Sequence, residues 1–292
     1  MYESRIDLDS ITAIDTHVHI EADDCGHGAL PPELNDAMDA YFKRSGPVPN
    51  LDAVADYYRE LSMAAVVFTV DARTAMKTMP NSSEEIALGA ARNNDVLIPF
   101  GSVDPLRGAA AIEHARQLHG EFGVRGFKFH PSVQDFLPSD PQFEPLFTVL
   151  EELGLPTVFH TGQTGIGAGM PGGFGIRMSL SNPMHLDDLA ARHPQLKIIM
   201  AHPSVPWQDE AIAIASHKAN VFIDLSGWSP KYFEPKLVQA ARTYLQDKVL
   251  FGSDFPAITP ERWMRDYARL EIPEEATAKI FKTNAARLLE LV

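Results

Sequence analysis

Eight short apolar runs rich in Val, Ile and Phe recur along the chain, alternating with longer amphipathic runs. This alternation constrains the fold more than any other feature. The strand-like runs are 11–17, 64–70, 96–103, 124–130, 155–160, 196–202, 220–225 and 248–253. Helical patterns lie near 51–62, 82–94, 107–120, 140–153, 184–193, 207–218, 232–246 and 260–291, the last broken at Pro273. Repeated strand–helix units predict a parallel sheet covered by helices, because parallel neighbours need a crossover between them. Eight such units in 292 residues is the count of a closed (β/α)₈ TIM barrel, read as one domain over 1–292. A doubly wound open sheet is the alternative, but no Gly-x-Gly-x-x-Gly follows the first strand. Two connections are long: 20–50 after strand one and the glycine-rich 161–183 after strand five. Long loops in a compact barrel are expected to act as lids or binding loops.

Charge narrows the classes of partner. Asp and Glu number 39 against 25 Lys and Arg, a formal charge of −14. So negative a surface argues against nucleic acid and anionic membrane and leaves a small-molecule substrate as the expected partner. A locally positive pocket for an anionic substrate remains compatible with it. Cys25 is the sole cysteine, so no disulfide can form within the chain, which suits a reducing cytoplasm. The opening residues Met1 to Asp7 lack the apolar core of a secretory signal. No apolar run approaches the roughly 20 residues that span a bilayer.

In a barrel of this kind chemistry gathers at the C-terminal ends of the strands. Strand one ends Ile14-Asp15-Thr16-His17-Val18-His19, strand four Phe127-Lys128-Phe129-His130, strand five Val158-Phe159-His160, strand six Met200-Ala201-His202, and strand eight Gly252-Ser253-Asp254. Five of the 11 histidines therefore stand at strand ends. His17 and His19 are two apart, so strand alternation points both to one face, and Asp15 shares their parity. Each piece alone has a plain structural reading, as a turn residue or a helix cap. Together they do not, because buried ionisable groups are costly unless paired or metal-bound. Two imidazoles from strand one, a third from His160 and the carboxylate of Asp254 form a donor set suited to Zn²⁺. On strand four the phenylalanines suit the helix-facing side, which turns Lys128 and His130 inward. His114, His119, His193 and His217 fall on helical stretches and read as surface residues. His27, in the first long loop, and His185, at a helix start, also read as structural, with a place at the pocket as the lesser alternative.

These strand ends resemble the amidohydrolase superfamily. Within it they resemble the amidohydrolase-related branch containing aminocarboxymuconate-semialdehyde decarboxylase, γ-resorcylate decarboxylase and related hydrolases and lactonases. Asp15-x-His17-x-His19, His160, His202 and Asp254 carry the resemblance, with Val249-Leu250-Phe251-Gly252-Ser253-Asp254-Phe255-Pro256 and Asn284-Ala285-Ala286-Arg287-Leu288-Leu289. It implies that His17, His19, His160 and Asp254 bind one divalent metal, Zn²⁺ in first place and Mn²⁺ as the other ion this set accepts. It further implies that His202 is a general acid/base or an added ligand and that Asp254 doubles as a base. Two-metal members of the superfamily bridge their ions with a carboxylated strand-four lysine. Lys128 is the candidate for that role, with His130 beside it, although one metal is the favoured count.

The expected function is metal-dependent hydrolysis of a small carboxylated or aromatic-derived substrate, at an ester, lactone, amide or C–C bond, through a water activated by the metal. The alternative is non-oxidative decarboxylation of a hydroxybenzoate or muconate-semialdehyde type substrate. A barrel that has lost its chemistry and serves as a scaffold fits the intact strand ends least. Arg73, Arg177 and Trp228 are the candidates for gripping or walling the substrate. A homodimer is expected by analogy with relatives.

Overall fold

β-Branched and aromatic side chains pack well on a pleated surface, and each apolar run forms a strand where the sequence places it. The computed structural model describes residues 1–23, 25–43 and 46–291. Among them the strands are β1 (Ala13–His19), β2 (Met63–Phe68), β3 (Leu97–Pro99), β4 (Phe127–Phe129), β5 (Thr157–His160), β6 (Ile198–Ala201), β7 (Val221–Asp224) and β8 (Val249–Leu250). The helices are α1 (Pro32–Phe42), α2 (Leu51–Glu60), α3 (Arg73–Met76), α4 (Ser83–Arg92), α5 (Ala109–Gln117), α6 (Pro131–Gln134) and α7 (Glu144–Glu152). They continue with α8 (Met184–Arg192), α9 (Gln208–His217), α10 (Pro235–Arg242), α11 (Pro260–Tyr267), α12 (Glu274–Ala278) and α13 (Asn284–Leu288). The last helical stretch is interrupted at Pro273, as its sequence predicts.

All ladder pairings are parallel, β1–β2–β3 in one sheet and β4–β5–β6–β7–β8 in the other. Backbone bonds bridge both seams and complete the barrel. Between β3 and β4, Gly101 N donates to Gly126 O (2.9 Å) and Lys128 N to Gly101 O (2.8 Å). Between β8 and β1, Thr16 N donates to Phe251 O (3.0 Å), Asp254 N to His17 O (3.0 Å) and His19 N to Phe255 O (2.8 Å).

Strand alternation sorts the core into two layers. Val67, Phe127, Phe129, Phe159, Met200 and Ile223 face the helices. Ile14, Val66, Phe68, Ile98, Phe100, Val158, Ile199 and Leu250 fill the barrel and pack onto Ala285, Ala286, Leu288 and Leu289 from the C-terminal segment. Arg125, just before β4, donates to Leu289 O (3.1 Å), and Lys197, just before β6, to Leu288 O (3.4 Å). The C-terminal segment thus closes the N-terminal end of the barrel and leaves the opposite mouth open for chemistry.

Three local features differ from the sequence reading. First, β1 carries a bulge: Asp15 pairs with Ala65 and Val18 with Val67, so three residues of β1 advance against two of β2. The extra residue reverses the parity of Asp15, which leaves the face shared by His17 and His19. Second, the 20–50 connection contains α1, whose Leu34 and Met38 are buried at i, i+4 spacing. Third, His193 is buried rather than exposed, because Glu144 (3.0 Å) and Glu151 (2.9 Å) flank its ring. No helix among the described residues is long and apolar enough to cross a membrane.

Candidate metal centre

Strand ends bring His17, His19, Lys128, His130, His160, His202 and Asp254 to the open mouth of the barrel. Apart from the half-exposed edge at His19 and Asp254, all are buried. His17 Nε2 lies 3.2 Å from His19 Nε2 and 3.3 Å from Asp254 Oδ1, and His19 Nε2 is 3.2 Å from the same oxygen. Donors about 2.0–2.1 Å from one tetrahedral ion are about 3.3–3.4 Å apart, so this triangle has the edge length a metal requires. His17, His202 and Asp254 also offer donor atoms within 4.8 Å of one another.

The other histidines form a chain behind the triangle. His202 Nε2 contacts His160 Nδ1 at 3.0 Å. The His160 and His130 rings stack at 3.8 Å and 9°. His160 Nε2 is buried without a partner. His130 sits one ring further from the triangle, its Nε2 3.4 Å from Thr164 Oγ1. Lys128 points inward as its parity predicts, with Nζ 3.0 Å from His17 Nε2 and 5.1 Å from the Phe68 ring centre.

Burial sets the protonation pattern. It lowers the imidazoles of His17, His130 and His160 well below their ordinary value and His202 to about 4. It also presses the Lys128 ammonium down to about 8. Burial works against ionisation of Asp254, yet the hydrogen bond from His19 and the surrounding imidazoles hold its carboxyl at about 2. Neutral imidazoles beside an ionised carboxylate are the state in which a divalent cation is bound.

Several positioning residues escaped the sequence reading. Asp224, at the end of β7, accepts from His17 Nδ1 at 2.6 Å and from Ser226 N at 2.6 Å. Burial raises its carboxyl to about 7. With Nδ1 engaged, His17 presents Nε2 to the triangle. Ser226 Oγ lies 2.9 Å from His202 Nδ1 and fixes that ring in turn. Gly227 follows with φ +74°, and a Cβ there would stand 2.4 Å from His202 Nδ1, so the ring fits only against a glycine. Asp224 obeys the same strand-end rule as the histidines: it shares inward parity with Phe222 and was readable on that ground.

Above the donors opens a cavity of about 370 Å³. Its walls include Leu30, Met38, Tyr41 and Phe42 from the 20–50 connection, Ile166 from the glycine-rich loop, and Trp228. Trp228 lines the cavity. The two arginines do not. Arg73 turns onto Asp71, with Nε 2.9 Å from Oδ1 and Nη2 2.8 Å from Oδ2, and faces a separate groove. Arg177 pairs with Asp135 at 2.6 Å on the surface. In each case a nearby carboxylate captures the guanidinium. His27 bonds Met79 O (2.8 Å) and His185 bonds Ser179 O (3.1 Å), and neither lines the cavity.

Among solved structures, an uncharacterized Tim-barrel protein from Bordetella bronchiseptica is similar at 22% identity, with 95% of this chain and 98% of that one covered and a TM-score of 0.76. A 2,6-dihydroxybenzoate decarboxylase from Rhizobium follows at 18% identity, 96% and 99% coverage and a TM-score of 0.69. A probable 2-pyrone-4,6-dicarboxylic acid hydrolase from Acinetobacter baumannii reaches 14% identity, 96% and 100% coverage and a TM-score of 0.62. These likenesses establish the barrel. A search of curated protein sequences finds no match. The amidohydrolase family model matches residues 14–291, and the chain therefore belongs to that enzyme family of metal-dependent hydrolases and decarboxylases.

Proposed function

We propose that the protein is a metal-dependent hydrolase acting at a carbonyl of a small, aromatic-derived substrate. The observation that carries this reading is the triangle of His17 Nε2, His19 Nε2 and Asp254 Oδ1, with edges of 3.2–3.3 Å, at the floor of an apolar cavity. These three residues hold one divalent ion, Zn²⁺ in first place and Mn²⁺ as the alternative. The fourth protein donor comes from the His160–His202 pair. We assign it to His160, whose buried Nε2 lacks a partner. Such an ion polarises a substrate carbonyl and brings the pKa of a water near 7.

The chain's own groups do the rest. His202, held through Nδ1 by Ser226 and through Nε2 by His160, stands beside the donors as the proton-transfer group of this reading. Asp254, ionised, accepts a proton from the attacking water through the carboxylate oxygen that His19 leaves free. Lys128, with Nζ beside His17, supports an oxyanion rather than a second ion. The walls of Met38, Phe42, Ile166 and Trp228 receive the aromatic body and exclude water.

Decarboxylation is the competing reading, and the fold likeness to a dihydroxybenzoate decarboxylase favours it as much as the likeness to a probable hydrolase favours the first. The two separate cleanly on product. Candidate esters, lactones, vinylogous ketones and hydroxybenzoates would be turned over in isotopically labelled water, before and after exhaustive chelation. Hydrolysis places the label in a new carboxylate, and activity returns with added Zn²⁺. Carbon dioxide release with no oxygen label in the organic product assigns the carboxy-lyase instead. Turnover indifferent to chelation and to His160→Ala removes the metal from the reaction altogether.

A further inference from the structure

The bulge in β1 turns away from the donor face a residue that the proposed chemistry leaves unused. Asp15 is fully buried, as are Tyr58 and Ser253. Its Oδ1 accepts from His17 N (3.1 Å) and Ser253 N (2.9 Å), and its Oδ2 accepts from Tyr58 Oη (2.7 Å). One carboxylate oxygen thus joins the backbone of a triangle residue on β1 to the residue immediately before Asp254. The second oxygen ties both to α2, which Asn50 caps through Ala53 N. Tyr58 lies on the buried face of that helix with Val54 and Ala55.

The place of this bond gives it significance. His17 and His19 come from β1, whereas Asp254 comes from the segment after β8. The ladder between them is not continuous: β1 bulges here, and Val18 and Phe255 meet in an isolated bridge. The separation of His17 and His19 from Asp254 is therefore set by a few backbone bonds, by the Thr16 hydroxyl on Phe251 O (2.8 Å) and by Asp15. Metal–donor distances tolerate only about 0.2 Å, so a small slip across this seam reaches the triangle directly.

We propose that Asp15, held by Tyr58, is a positioning residue that sets the spacing of the metal donors across the β8–β1 seam. This rests on the proposed metal reading of the triangle. Asp15→Ala removes the acceptor from two backbone N–H groups and lowers metal affinity about 10–100-fold, the range for groups that orient ligands. Tyr58→Phe keeps the staple but frees its outer oxygen, a smaller loss within that range. Asp15→Asn keeps one oxygen for both N–H groups, and its amide can donate to Tyr58 Oη, so it restores affinity to within about threefold of the parent.

The test uses metal-free full-length protein, titrated with Co²⁺ against a chromophoric chelator, with visible spectra of each loaded variant and thermal midpoints of each metal-free one. The expected result is graded affinity, with Asp15→Asn near the parent, Tyr58→Phe lower and Asp15→Ala lowest. Altered Co²⁺ bands in the weak binders mark a distorted donor set, which a loss of global stability alone does not produce. Parental affinity and bands in Asp15→Ala overturn the proposal. If that variant does not fold, the same result in Tyr58→Phe overturns it. Failure of the parent chain to take up one Co²⁺ defeats the metal reading and this proposal with it. Uptake by the parent with unchanged variants defeats this proposal alone.

Discussion

The floor of the cavity and its roof are built on opposite principles. The floor is polar, buried and fixed by strand ends: His17 is oriented by Asp224, His202 by Ser226, and Asp254 is tied through the backbone to His17. The roof is apolar and made of connections: Met38 and Phe42 on α1, and Gly165 and Ile166 on the glycine-rich loop. A Cβ on Gly165 would come within 2.5 Å of Phe42 Cζ, so the two loops meet at that glycine. On the proposed function, reaction type belongs to the floor and substrate choice to the roof. A barrel can then keep its chemistry while its loops change what it accepts.

Changes that break this division of labour rank by how directly they touch the ion. His17→Ala or Asp254→Ala should lower kcat/KM at least about 1,000-fold, about 4 kcal/mol of transition-state stabilisation. Steady-state kinetics on metal-supplemented protein check this, and activity within tenfold of the parent would detach the triangle from catalysis. Asp224→Ala acts one bond further out. Metal affinity measured by chelator competition should fall about 10–100-fold, because His17 loses the partner that fixes its ring.

The roof should respond in a different parameter. Met38→Ala or Phe42→Ala should raise KM about tenfold for a substrate with an aromatic body while kcat stays within about threefold. A fall in kcat with KM constant would place α1 in the chemistry and blur the contrast. The smallest effect belongs to Arg177→Ala. An exposed ion pair contributes about 0–1 kcal/mol, so thermal midpoint and turnover should both stay close to the parent. A large loss of turnover would return Arg177 to the substrate site that its pairing with Asp135 removes it from.

The floor was legible in sequence because a histidine or aspartate ending an apolar run stands out from the residues around it. His17, His19, Lys128, His130, His160, His202 and Asp254 all reach the mouth of the barrel on that signal. The parity of Asp15 was not legible, since a bulge depends on which residues β2 offers across the ladder. The placement of Arg73 and Arg177 away from the cavity was not legible, because sequence position gives no direction. Asp135, 42 residues from Arg177, is its partner only in the folded chain, and Asp71, although two residues from Arg73, does not by its position show that the guanidinium turns back onto it. α1 left a signal in Leu34, Met38 and Tyr41 at helical spacing, but so short a pattern inside a long connection is outweighed by its polar neighbours.

The central claim is that His17, His19 and Asp254 hold a single divalent ion at the floor of the cavity. Anomalous scattering from a crystal of the Zn²⁺-loaded protein, recorded on both sides of the zinc edge, tests it most directly. The account predicts one peak, about 2.0–2.2 Å from His17 Nε2, His19 Nε2 and an Asp254 oxygen, with Lys128 unmodified. A peak bound elsewhere, or two peaks bridged by a carboxylated Lys128, would contradict it.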